Sequence, residues 1–288
     1  MIKFYIQVTA FVFIALASCS SPKKRLSDRT HTDSLSIAKT TMDGSKINNP
    51  YYDANFQLDL FQKHISFYGE NYAGNWKLFI QKDSSFTFVL DGKKTEFEFS
   101  KAAQSQDAFV IRYHSKKVIN PLDTIPQKKS ITITLVEQSS LEKVSIHYLP
   151  FSVNVTISDE ATSTTYSGGG FYVTNPALHD IWVLDSLNNQ KVDISKFPQG
   201  VPRLEFHLDG GKVHGFSGCN ELTGTYYTFQ DKIIINPLAS TMKFCDGITG
   251  ENSFLDLLNK HSFEYHIRNL RLTLEHRDKT LFVFKKID

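Results

Sequence analysis

Apolar and polar residues alternate along most of this chain in short runs, the period that puts every second side chain on one face of a sheet. Between residues 56 and 175 the alternation predicts strands over 65–68, 76–81, 85–90, 95–100, 109–114, 130–137, 143–148 and 152–158. Turn residues separate them. Asp91 and Gly92 both accept positive φ and join the third strand to the fourth as a hairpin. This spacing describes an antiparallel β-sandwich or barrel. Gly168, Gly169 and Gly170 close the region with no lysine or helix after them to make a phosphate loop, and read as a bulge or flexible corner.

From 176 to 288 the pattern changes to strands, one helix, then strands. Phe254, Leu257, Leu258 and His261 share one helical face, so a short helix is expected over 251–260, capped by Asn252 or Ser253. A closing meander over 264–267, 270–275 and 280–284 has Asn269 and Asp278 at its turns. The fold class is mainly β: an antiparallel sandwich or barrel, followed by an α+β domain with one short helix.

The N-terminus obeys a different rule. Lys3 is followed by an apolar run from Phe4 to Ala15, too short to span a bilayer, and then by Leu16, Ala17, Ser18 and Cys19. This pattern resembles the bacterial lipobox, which implies that residues 1–18 are a signal peptide and that Cys19 becomes the lipid-modified first residue. Several acyl chains hold a protein on a membrane stably where one does not. Ser20 is not the aspartate that signals inner-membrane retention, so the implied location is the outer membrane of a bacterial envelope, facing the periplasm. Residues 19–55 are polar and read as a tether spanning roughly 33 Å as a flexible coil.

Charge narrows the partners. With 32 basic and 30 acidic side chains the formal net charge is +2, which gives no bulk attraction to nucleic acid. The expected partners are the membrane, through the anchor, and an envelope protein or ligand. Removing Cys19 leaves Cys219 and Cys245, 26 residues apart. In an oxidising compartment they form either a disulfide, adding about 3.5 kcal/mol by loop closure, or two buried thiols. A thiol nucleophile requires a base. His207 and His214 are the nearest in sequence, but Leu204, Phe206 and Leu208 alternate so as to turn His207 to the opposite, solvated face. Glu205 and Asp209 fall on that exposed face too. The histidines lack the short paired spacing of metal ligands, and neither GxSxG nor HExxH occurs. No catalytic residue, metal or cofactor is expected, and Trp76 and Trp182 read as core anchors.

The C-terminal part carries a family likeness. Ile181 to Leu184 open it, Gly215 leads through Phe216, Ser217, Gly218, Cys219 and Asn220 to Gly224 and Tyr226, and Thr241 precedes Cys245 by four, followed by Glu251, Phe254 and Leu258. Together these resemble the META domain of HslJ-like envelope proteins. The family usually reads methionine and alanine where this chain has Lys243 and Phe244. Upstream, the segments 69–76 and 148–157 resemble, more loosely, a domain found beside it in envelope lipoproteins whose relatives carry cysteines near 167–170; this chain has none there. The likeness implies a protein of heat-shock and envelope stress responses and drug tolerance, without established catalysis. A non-enzymatic binding or assembly-supporting role is therefore expected. The rivals are an enzyme acting on envelope material at an interdomain cleft, and a redox sensor built on Cys219 and Cys245.

Overall fold

The computed structural model describes residues 49–71, 73–104, 110–116, 129–138, 149–260 and 262–287. The expected signal peptide, Cys19, the tether up to residue 48 and the strand expected over 143–148 lie outside them. Among the described residues no helix is long and apolar enough to cross a membrane.

The first sheet comprises β1 (Ile65–Glu70), β2 (Trp76–Gln81), β3 (Ser85–Leu90), β4 (Lys93–Glu98), β5 (Ala103–Gln104), β6 (Val110–Lys116), β7 (Ser130–Glu137), β8 (Phe151–Ser158) and β9 (Ser163–Tyr172). Their order is β4-β3-β2-β1-β9-β8-β7-β6-β5, with every pairing antiparallel. The sheet curls until β6 approaches β4, where the Ser115 hydroxyl donates to the Glu98 carbonyl. Inside the curl the alternating residues form one core, including Trp76, Leu78, Phe86, Phe97, Ile131, Ile133 and Val153. Strand twist and large aromatics on one face make a sheet of this length roll up instead of lying flat.

The three glycines are not a corner. They lie inside β9, with Gly169 and Gly170 paired to both β1 and β8, and none has positive φ. Space is the reason: a Cβ on Gly168 would sit 2.2 Å from the Glu70 carbonyl oxygen and 2.5 Å from Trp76 Cζ2, and one on Gly170 2.5 Å from the Tyr68 carbonyl oxygen.

The second sheet closes. Its strands are β10 (Ile181–Leu187), β11 (Gln190–Lys191), β12 (Arg203–His207), β13 (Lys212–Phe216), β14 (Glu221–Phe229), β15 (Lys232–Ile235), β16 (Ala239–Ser240), β17 (Ser262–Arg268), β18 (Arg271–His276) and β19 (Lys279–Lys286). The order β10-β12-β13-β14-β15-β17-β18-β19 returns to β10 through pairs such as Leu184 with Phe284. Closure removes the free edges. The turns at Asn269 and Asp278 use positive φ at both central positions, the conformation that matches strand twist in tight hairpins. A helix late in the chain, Glu251–Leu258, adds Phe254 and Leu258 to a barrel core with Trp182, Leu204, Phe206, Phe282 and Phe284. Its N-cap is Gly250, with no side-chain cap bond, in place of Asn252 or Ser253.

An earlier helix, α1 (Ala54–Gln62), precedes the first strand, which makes Glu251–Leu258 α2. Of the residues expected in the tether, 50–55 thus lie in a 3-10 turn, the cap of α1 and its first turn. Asp53 caps α1 by accepting from the amides of Asn55 and Phe56 at 3.0 and 3.1 Å. Just before it, Pro50–Tyr52 make a short 3-10 turn that buries Tyr51. Tyr51, Leu60, Tyr68 and Phe171 form a satellite cluster under α1. Tyr51 also reaches the barrel, as does Gln57, whose side-chain amide donates to the carbonyls of Tyr51 and Leu208 at 2.8 and 2.7 Å. From the barrel side the Tyr227 hydroxyl donates to Glu137. The curled sheet and the barrel are joined by these contacts and by the packing of Tyr227 and Phe229 into the first core.

Candidate functional site

The turn after β13 gathers the residues that carry the sequence motif. Ser217 and Asn220 close it: the Ser217 amide donates to the Asn220 carbonyl at 2.9 Å, and the Asn220 amide to Ser217 Oγ at 3.0 Å. Gly218 takes φ +104 between them, and a Cβ there would lie 2.5 Å from Phe197 Cδ1. Only glycine fits.

Asn220 is the hub. Its Oδ1 accepts from the Lys243 amide at 2.7 Å and from Thr241 Oγ1 at 2.9 Å, while its Nδ2 donates to Glu251 Oε1 at 3.1 Å. Ser217 Oγ donates to the same Glu251 oxygen. Thr241 also bridges backbones, its Oγ1 accepting from the Glu221 amide at 3.1 Å. Glu251 stands in the first turn of α2, where the helix dipole favours a carboxylate. Turn 217–220, loop 241–245 and the helix start are thus fastened by one connected polar network.

Cys219 and Cys245 fasten the same elements a second time. Their Cα atoms are 6.0 Å apart, at disulfide distance, and Cys219 is buried. The two histidines nearest in sequence do not join them. His207 pairs with Lys212, four residues or roughly 14 Å of strand from Phe216. It lies instead in a row on the barrel's outer face, His179–His207–His214, with ring centroids 5.5 and 5.4 Å apart and His207 Nε2 3.0 Å from Glu205. Asp209 pairs with Lys212 at 2.5 Å. Trp76 and Trp182 are core residues. Among the described residues no group of three or more metal-ligating side chains is placed to hold an ion.

One charged cluster has no sequence signal. Asp185, buried at the bulge in β10, accepts from Lys191, from Lys285 at 2.9 Å and from Arg271 at 2.8 Å. Burial alone would raise its pKa, but the hydrogen bonds from the three cations outweigh it and hold the carboxyl well below its ordinary range. The residues that supply them are 6 to 100 positions away.

Around the fastened turn lie two small grooves. One, of about 290 Å³, runs between β11 and the start of α2 and includes Leu187, Lys191, Asp193, Lys196 and Thr249; the other, of about 200 Å³, is lined by Leu222, Ile235, Leu238, Leu255 and Leu258. Beside them stand apolar side chains in water. Met242 is 100% exposed, Phe244 90% and Ile194 69%, the three most exposed large apolar residues among those described. The loop of Ile194 is joined to the start of α2 where the amides of Thr249 and Gly250 donate to the Lys196 carbonyl, both at 3.3 Å.

Comparison with known proteins bears on the barrel alone. Residues 176–288 match the family model of the META domain. No curated protein matches the chain. A solved structure described as "NMR structure of the protein" is similar at 19% identity, covering 39% of this chain and 95% of that one, with a TM-score of 0.33; at that score the likeness carries no argument.

Proposed function

With residues 176–288 a META domain, we propose that the protein is a lipid-anchored envelope protein that binds a partner and catalyses nothing. Acylation at Cys19 anchors it, the outer membrane facing the periplasm is its location, and its binding supports tolerance of envelope stress. The observation behind this reading is the use to which the motif's side chains are put. Ser217, Asn220, Thr241 and Glu251 bond to one another and to backbone, so groups capable of chemistry serve architecture. What they hold out to solvent includes the apolar Met242 and Phe244, and exposed apolar groups on a fixed surface mark interaction sites.

Two measurements in one strain test this. Metabolic labelling with an alkynyl fatty acid labels the wild-type chain, and Cys19→Ser abolishes the label and prevents signal-peptide removal. A photo-crosslinking residue placed at 244 gives a discrete adduct in intact cells, to lipid or to protein, and the same residue at position 270 does not. A label that survives Cys19→Ser sinks the anchor; equal, diffuse adducts from both positions sink the binding surface.

A further inference from the structure

The loop 241–245 is pinned at alternate residues. Thr241 is held by its amide to the Glu221 carbonyl at 3.1 Å and by its hydroxyl to Asn220. The Lys243 amide is held by Asn220 at 2.7 Å, and Cys245 by Cys219. The residues between, Met242 and Phe244, are the ones left outside. Neither folds back, because the backbone on both sides is fixed. Their backbone is prearranged, so contact has only the two side chains left to order.

We propose that Met242 and Phe244, with Ile194 on the neighbouring loop, insert into the interfacial region of a phospholipid bilayer. Three observations favour lipid over a protein groove. Each of the three apolar side chains is exposed over two thirds or more of its surface, and a fluid interface accepts such side chains without a matching pocket. Lys243 lies between two of them and Lys196 beside the third; both are exposed, and Lys243 makes no ion pair among the described residues. Such lysines lie along the surface and reach phosphate oxygens while the apolar groups go deeper. Asp193 and Asp246 oppose them with two negative charges, so insertion is mainly apolar and changes little with salt. Finally, 29 residues, from 20 to 48, separate Cys19 from the first described residue. At full extension they reach about 100 Å, which keeps the barrel at high effective concentration beside the bilayer that holds the anchor. This last argument rests on the proposed acylation of Cys19.

The test uses the complete mature lipoprotein, reconstituted into vesicles of phosphatidylethanolamine and phosphatidylglycerol, with Phe244→Trp as reporter and Leu270→Trp as the exposed control. Trp76 and Trp182 are buried and give a constant background. The expected result is a blue-shifted emission from the indole at position 244, quenched when part of the lipid is brominated, with Leu270→Trp unquenched; adding Met242→Ser reverses most of the shift. Emission at 244 as red and as unquenched as at 270 overturns the proposal. So does an indole at 244 that is shielded in native envelopes but not in protein-free vesicles, which gives the tip to a protein. The intact mass of the same sample reports acylation separately, so loss of the anchor and failure of the tip are distinguished.

Discussion

The phenol of Tyr51 donates a hydrogen bond at 3.0 Å to the backbone carbonyl of Tyr226, 175 residues later. Next to it the Gly210 amide donates to the Tyr51 carbonyl at 3.1 Å, and Gly211, with φ +58, leaves only 2.4 Å between a Cβ and the Tyr51 hydroxyl. The segment before α1 is therefore fitted against the barrel, although its chain leads into the curled sheet. Tyr51→Phe, which leaves a buried carbonyl short of one donor, costs about 1 kcal/mol, and Tyr51→Ala about 3 to 5 kcal/mol. Equilibrium denaturation measures both; equal, negligible losses would show that the segment is not part of the fold.

Gly168→Ala destabilises by about 3 kcal/mol or more, because the new methyl meets backbone at 2.2 Å and the Trp76 ring at 2.5 Å. Gly69→Ala, whose nearest neighbours are at 3.4 and 3.5 Å, is tolerated within about 1 kcal/mol. The two melting temperatures, compared with wild type, separate crowding from a general intolerance of side chains in this part of the sheet.

Asp185 makes the barrel acid-sensitive in a defined direction. Its folded pKa is depressed, below an unfolded value of about 3.9, so its contribution is fully present above that value and is lost as the pH falls toward the folded pKa. Asp185→Asn is less stable than wild type at neutral pH, since three cations lose their shared carboxylate. The difference between the two melting temperatures narrows as the pH is lowered from about 4. A difference independent of pH would remove the ion cluster from the explanation.

Cys219→Ala with Cys245→Ala releases a closed loop and costs about 3.5 kcal/mol in the chain-entropy model. Asn220→Ala removes bonds to Thr241, Lys243 and Glu251 and costs about 2 kcal/mol. Because both fasten the same loop, the combined variant departs from the sum of the two losses by at least about 0.5 kcal/mol. Strict additivity in denaturant melts would show that bridge and network act independently.

How far the fold is legible in the sequence follows from how local its causes are. The strands at 76–81, 85–90 and 130–137 have the bounds that alternation predicts, because a single buried face is written within each segment. Asp91 and Gly92 turn with positive φ, as their residue types require. Helix α1 escapes a reading by pattern: it is nine residues long, buries only Gln57 and Leu60, and leaves Leu58 and Phe61 in solvent. The glycines of β9 mislead because their requirement comes from Trp76 and the backbone of β1, not from their own dihedrals. At the site, the motif's residues are visible in the sequence but their roles are not. Asn220 is tied to partners 21 to 31 positions away, and Asp185 to one 100 away. The histidine row assembles from three segments through strand register. For the exposed Met242 and Phe244 the sequence offers no signal beyond an unusual Lys243 and Phe244 in the motif.

Because Asn49 and Tyr51 are the first buried side chains of the described fold, tension entering the described residues at 49 arrives at the Tyr51 contact before it reaches any of their strands. A tug there loads the seam between the two sheets first, while the closed barrel, whose strands have no terminal member to peel, carries load last. Pulled along this axis, the molecule has a mechanical fuse at its point of entry.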